Sequence, residues 1–335
     1  MKSDTYPAAR PSTDDASHRA LGVMVGFDGS QQAILALHYG AVAALRHGRV
    51  LTVVSAFTIP TPVYTTLAAL PAASEAEAAV AAAETMLEDA RAYLEDYPGE
   101  VTYRAQHGDP SGVLVDLSAQ ADFAVVGARG RGGFLGRVLG SVSSALPAHA
   151  HCPTVVVPRQ YEVSTTDGAE RFTQDVDSRP VLAGFDGSSE SRTAVLQAAQ
   201  AAQSNEAPLR MLLALPSPRG ALEWYPELDS PTESVTDRRK TQLEESLDSE
   251  VVWVKTHYPS LEITATVRAG DPVAELVKQA REAQLTVVGT RGHSGFAGAL
   301  LGSVSRGLLL RAAGPVMVVP DMQDERLRDQ PGLFR

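Results

Sequence analysis

Three motifs recur along this chain in the same order and at nearly constant spacing, and that repetition limits the fold more than any other feature. "VMVGFDGS" (Val23–Ser30) returns as "VLAGFDGS" (Val181–Ser188). "HGDPSGVLVDLSAQADFAVVGARG" returns as "AGDPVAELVKQAREAQLTVVGTRG", and "HCPTVVVP" (His151–Pro158) as "AGPVMVVP" (Ala313–Pro320). The first pair is offset by 158 positions and the later pairs by 162, so a net four residues enter between the first motif and "GDP". A period this long marks a duplicated domain and not a solenoid. The 335 residues accommodate two domains of ordinary size. "RQYEVSTTDGAERFTQDVDSR" (Arg159–Arg179) is polar, lacks apolar periodicity and reads as linker. The expected division is a tail at 1–20, domains at 21–158 and 180–320, the linker at 159–179, and a second tail at 321–335.

Within each copy β-rich runs alternate with helical periodicity. Val23–Phe27 is a short strand, and Ile34, Leu37, Ala41, Val42 and Leu45 follow at helical spacing. "RVLTVVSAF" and "EVTYRAQ" read as strands, Glu75–Tyr97 and "SGVLVDLSAQ" as helices. "FAVVG" is nearly continuous in apolar residues, as in a strand buried on both faces, and "TVVVP" closes the copy. The fold class is therefore expected to be α/β: two tandem doubly wound domains, each a five-stranded parallel sheet with helices on both faces, for which the order 3-2-1-4-5 is taken. In that order the fifth strand is an apolar edge. The two such edges are expected to pair across a pseudo-twofold axis inside the chain, since bare edges invite aggregation.

The fourth strand of each copy runs into a glycine-rich loop and then a helix: "GARGRGGFLGRVLGSVSS" (Gly127–Ser144) and "GTRGHSGFAGALLGSVSR" (Gly289–Arg306). Glycines let a ligand approach the backbone, successive N–H groups form an anion nest, and a helix start capped by Ser141 favours negative charge. Phosphate oxygens suit such a loop. The strand order reverses between strands one and four, which brings "GFDGS" beside the loop. There Asp28 is placed to serve a ribose hydroxyl, a base or a water on magnesium. Neither loop carries the lysine of a Walker A motif, and a dinucleotide fingerprint would follow the first strand.

The spacing G-x2-G-x9-G-[ST] is met by Gly127, Gly130, Gly140 and Ser141, and again by Gly289, Gly292, Gly302 and Ser303. With "GFDGS", "GDP" and "CPTVVVP" in the same order, the chain resembles a tandem universal stress protein from about Leu21 to Pro320. The resemblance implies ATP as ligand, accompanied by magnesium, and a role in stress adaptation or growth control without established catalysis. It also implies site residues. Gly26 and Asp28 would meet the adenosine, as would Gly184 and Asp186, with Ala56 and Leu215 facing the adenine. Gly127, Arg129, Gly130, Arg131, Gly132 and Gly133 would wrap the phosphates, and Gly140, Ser141, Val142 and Ser143 would close the site. In the second copy Gly289, Arg291, Gly292, His293, Gly295, Gly302, Ser303, Val304 and Ser305 correspond. The family often has histidine late in strand two, where this chain has Ser55 and Ala214. Pro147 falls within the helix after Ser141, which predicts a kinked or short helix.

Composition removes several alternatives. The net charge of -11 argues against general affinity for nucleic acid or anionic lipid. The N-terminus lacks the apolar core of a signal peptide and no apolar run reaches roughly 18 residues, so a cytoplasmic protein is expected. Cys152, the single cysteine, excludes an internal disulfide and reads as a buried thiol. "GDP" reads as a turn, and His107 as structural. Trp224 and Tyr225, in a long Pro-rich connection, are candidates for a partner surface. The favoured function is a regulator whose ATP occupancy modulates unidentified protein partners, with a homodimer possible. A slow ATPase and a ligand-free scaffold are the alternatives.

Overall fold

The structure, a computed structural model, describes residues 19–59, 72–130, 139–163, 168–173, 177–215, 233–292 and 301–332. The first half runs β1 (Gly22–Gly26), α1 (Gln31–His47), β2 (Leu51–Phe57), α2 (Ala72–Tyr93), β3 (Val101–His107), α3 (Pro110–Ser118), β4 (Ala121–Gly127), α4 (Ser141–His149) and β5 (Thr154–Val157). The second repeats the order with β6 (Val181–Phe185), α5 (Ser189–Ser204), β7 (Leu209–Leu215), α6 (Glu233–His257), β8 (Ile263–Ala269), α7 (Pro272–Gln279), β9 (Leu285–Gly289), α8 (Ser303–Arg311) and β10 (Val316–Val319).

The strands form one ten-stranded sheet in the order β3-β2-β1-β4-β5-β10-β9-β6-β7-β8. Each half is parallel in the expected order, and the two fifth strands pair antiparallel, Val316 opposite Val156 and Met317 opposite Val155. This pairing covers both apolar edges at once. Strand alternation then sorts the core into two layers. Val23, Val25, Val155 and Met317 face α1, α2, α5 and α6, where Leu37, Leu87, Leu196 and Val254 meet them. Met24, Val156 and Val316 face the other way, onto Leu114 of α3, Leu146 of α4, Leu276 of α7 and Leu308 of α8. Both layers run unbroken across the β5–β10 seam.

Local chemistry starts and stops the helices. Ser30 caps α1, its Oγ accepting from Ala33 N at 3.1 Å, and Gly48 ends it in the left-handed region at φ 58°. The "GDP" elements prove to be helix starts and not free turns. Asp109 accepts from Gly112 N at 3.1 Å and Asp271 from Ala274 N at 2.8 Å, with Pro110 and Pro272 in the first turn. Helix α2 stops at Tyr93, short of the expected Tyr97, because Leu94 N is shared between the Ala90 and Arg91 carbonyls as the turn tightens. Pro147 lies inside α4, yet α4 and its counterpart α8 are each nine residues long, so the proline does not shorten it.

The segment between the halves is more than a polar connection. A 3-10 turn at Gly168–Phe172 inserts Phe172, 1% exposed, beside His38, with ring centroids 5.5 Å apart. Tyr93 and Tyr97 meet the same ring edge-on. Arg171 donates to the Tyr93 carbonyl at the end of α2, where a cation suits the helix dipole. At the other end of the chain Met322 and Asp324 are buried, and Arg192 donates to Gln330 Oε1.

Candidate functional site

The site is built from what happens just past β1. Gly29 turns the chain at φ 70° and Gly187 at φ 86°, conformations that favour glycine. The turn brings Ser30 N within 3.0 Å of Asp28 Oδ1, and Ser188 N within 3.0 Å of Asp186 Oδ1. Ser188 Oγ also donates to Asp186 Oδ1 at 2.6 Å. The same serines cap α1 and α5, so "DGS" both starts a helix and holds an aspartate over the crevice.

The loop after β4 meets this aspartate. A Cβ placed on Gly130 would collide with Asp28 Oδ2, and one on Gly292 with Asp186 Oδ2. A side chain at either glycine would therefore oblige the aspartate carboxylate to move. The structure brings the ends of the first and fourth strands together in both halves.

The loop is pinned shut at its base. Ala128 O accepts from Gly140 N at 3.1 Å and from Ser143 Oγ at 2.7 Å. In the second half Gly302 N donates to Thr290 O at 2.7 Å, and Ser305 Oγ to Gly289 O at 2.6 Å. The reading of Ser141 as helix cap is corrected here. Gly140 occupies the cap of α4 and Gly302 that of α8, neither with a side-chain cap bond, and Ser141 is the first helical residue. The serine that bonds backward is Ser143, two positions later.

Around these contacts in the first half lies a cavity of about 530 Å³. Gly26, Asp28, Ala56, Gly127, Arg129 and Gly130 line it from the strand ends, and Gly140, Ser141, Val142 and Ser143 from the start of α4. Met86 and Leu114 line it too, and sequence reasoning did not name them. Met86 sits on an alanine-rich helix whose facing pattern is weak, though Ser55 Oγ donates to its sulfur at 3.8 Å. Leu114 lies on α3, whose sequence pattern does not show which way it faces. Its counterpart is Leu276: a Cβ on Gly26 would meet Leu114 Cδ1 at 2.7 Å, and one on Gly184 Leu276 Cδ1 at 3.3 Å.

In the second half Leu215 ends β7, half-buried, opposite Ala269. Arg291 is exposed and Val304 packs against the second core layer. Arg131, Gly132, Gly133, His293 and Gly295, with Trp224 and Tyr225, lie outside the described residues. His107 ends β3 against Phe57, apart from the cavity lining. Cys152 is buried, and burial pushes its thiol up to about 12, which suppresses the reactive thiolate. Among the described residues no group of three His, Cys, Asp or Glu side chains could hold a metal ion, and no helix is long and apolar enough to cross a membrane.

The universal stress protein family model matches residues 22–158 and again residues 178–320. The chain belongs to the universal stress protein family. As a tandem universal stress protein it is 38% identical over 205 residues to one from Mycobacterium tuberculosis. That alignment covers 61% of this chain and 63% of the relative, less than two thirds of its length. A Mycolicibacterium smegmatis universal stress protein is 32% identical over 308 residues, covering 89% of this chain and 96% of the relative. Among solved structures, a universal stress protein from Archaeoglobus fulgidus superposes with a TM-score of 0.59 at 16% identity, over 90% of this chain and 99% of its own. One from Pseudomonas aeruginosa gives 0.57 at 16% identity, over 91% and 95%. At such identities these two speak for the fold alone. Nucleotide binding is typical of the family.

Proposed function

We propose that this universal stress protein is an ATP-binding regulator of stress response and growth, that its nucleotide occupancy biases contacts with protein partners, and that it acts in the cytoplasm. The observation that carries the reading is the abutment of Asp28 on Gly130, repeated by Asp186 on Gly292. A side chain at either glycine would fill the space where the loop backbone meets the aspartate, so the loop is shaped for close backbone approach. Ala128 N donates to Val157 O, so phosphate oxygens would take the N–H groups of Arg129 and Gly130 and of the first turn of α4, which lacks a capping side chain. Gly26 and Asp28 would hold the adenosine and Ala56 the adenine, with Met86 and Leu114 as the apolar wall. Gly184, Asp186 and Leu215 would do so in the second half, with Arg291 and Ser303 at its phosphates. Arg129 adds charge at the mouth of the first site.

Asp28 is the single carboxylate lining the cavity among the described residues, which suits magnesium arriving with the nucleotide and not a resident ion. The domains proposed to act as the two binding units are 21–158 and 180–320. The test is to denature the purified protein and identify the nucleotide released, followed by calorimetric titration with ATP. Released ATP and two binding events per chain are expected. Released ADP would move the reading to slow hydrolysis, and no nucleotide with no titratable binding would leave the ligand-free scaffold.

A further inference from the structure

Away from the strand-end crevice, a second cavity of about 320 Å³ lies on the seam between the halves. Its walls come from the C-terminal half of α1, the start of β4, both ends of the connecting segment, the end of α5, and the turns leading into β9 and β10. Among the described residues, none of either glycine-rich motif lines it. Small-molecule sites start at about this volume and favour domain interfaces.

Val42, Phe123, Leu285, Met317 and two tyrosines line part of it, although more of the lining surface is polar than apolar. Tyr39 and Tyr161 meet edge to face, centroids 5.8 Å apart at 72°. Burial raises the ionisation of both phenols, so each hydroxyl stays neutral. The rim is polar and already ordered. Arg46 Nη1 donates to Asn205 Oδ1 at 3.1 Å, and Asn205 Nδ2 to Gln284 Oε1 at 2.9 Å. Gln284 Nε2 in turn donates to the carbonyls of Asp177 and Arg179, each at 2.7 Å. This belt joins α1 of the first half to α5 and the β9 edge of the second.

Charge at the rim is unbalanced. Arg179 is matched by Asp177 at 2.6 Å, and Arg46 in the last turn of α1 complements the negative end of that helix. Glu162 stands exposed at the edge. Arg281 lines the cavity and, among the described residues, forms no ion pair. Among the described lining residues, three arginines against two carboxylates leave one positive charge. His47 adds none at neutral pH, because burial lowers its pKa.

The geometry points to a single binding site on this seam for a small aromatic monoanion, an aryl carboxylate, with its ring against Tyr39 and Tyr161 and its carboxylate on Arg281 and the remaining N–H groups of Arg46. The site is single because the repeat does not reproduce it. Tyr39, Arg46 and Arg281 correspond to Gln197, Ser204 and Ala119 in the other half. A ligand there touches both halves, so its occupation stabilises the chain as a whole.

The test is calorimetric titration of the full chain, without nucleotide, with phenylacetate and 4-hydroxyphenylacetate, and with benzyl alcohol and benzylamine as uncharged and cationic counterparts. The acids are expected to bind one per chain, and the alcohol and amine about tenfold more weakly or worse, the worth of one charge-assisted contact. Arg281→Ala, at an exposed position, should weaken the acids about tenfold and leave the alcohol unchanged. Tyr161→Ala should weaken acid and alcohol alike. The assignment is overturned by an absence of saturable binding with both acids, by equal affinity for acid, alcohol and amine, or by acid binding that survives both substitutions.

Discussion

Acidification should loosen the contact between the connecting segment and the first half through one histidine. His38 is 1% exposed, packed on Phe172, with Nδ1 3.1 Å from the Tyr93 hydroxyl. Burial, and then the nearby Arg171 guanidinium, lower its pKa from 6.5 to about 4. Arg171 is the charged group facing it from the segment, and Tyr93 the titratable group facing it from α2. The ring is neutral in the fold, while in the unfolded chain it gains a proton below pH 6.5. Stability is therefore complete above pH 6.5 and is lost as the pH falls from there towards about 4. At ~1.4 kcal/mol per decade of proton affinity, the loss amounts to roughly 3 kcal/mol. Other carboxylates titrate in the same window, so the comparison is with His38→Leu, which copies Leu196 at the equivalent place in the second half. Denaturant unfolding of both proteins at several pH values in that window should give a steeper fall for the natural chain. The difference between the two falls, not their offset, is the readout. Equal pH slopes would refute the reasoning.

The second half holds a fully buried ion pair between Arg192 and Glu250, side chains 1% and 2% exposed, where the first half has Ile34 in place of the arginine. Glu250→Ala should cost about 3–5 kcal/mol by stranding a buried charge, and the double change Arg192→Met with Glu250→Leu should recover most of it, as measured by denaturant unfolding. Gly130→Val should displace Asp28 and remove one of two ATP-binding events in calorimetry while leaving the far-UV circular dichroism unchanged; full ATP binding would contradict the loop assignment. The first glycine-rich loop carries Arg131 and Arg137 where the second has His293 and Ala299, so ATP binding by the first half, isolated by Gly292→Val, should weaken more steeply with salt than binding by the second, isolated by Gly130→Val.

Much of this was legible because the motifs repeat and because backbone requirements leave marks in the sequence. Strands alternating with helices suffice for a parallel sheet in each copy, the family resemblance supports the order 3-2-1-4-5, and the apolar "TVVVP" and "VMVVP" edges point to the β5–β10 seam. Gly130 and Gly292 could be marked as close-approach positions, although the partner that demands glycine, the aspartate of "DGS", became visible only once the strand ends stood side by side. Side chains that act by direction were not legible. Ser143 and Ser141 are both serines at a helix start, and only the folded loop shows that Ser143 is the one that turns back to Ala128. Phe172 is one aromatic residue in a polar run, too sparse for any periodic pattern, yet it is buried deeper than most of α2. The seam cavity lies furthest from sequence reasoning, because residues from seven separated segments meet there and the repeat itself misleads. Duplication predicts two equivalent sites at the strand ends, but on the pseudo-twofold axis the halves meet their own counterparts. Any difference between them, such as Arg46 against Ser204, becomes an asymmetry within one cavity and not a difference between two. A tandem chain thus gains at its axis a place where divergence of the two copies builds something neither copy contains alone.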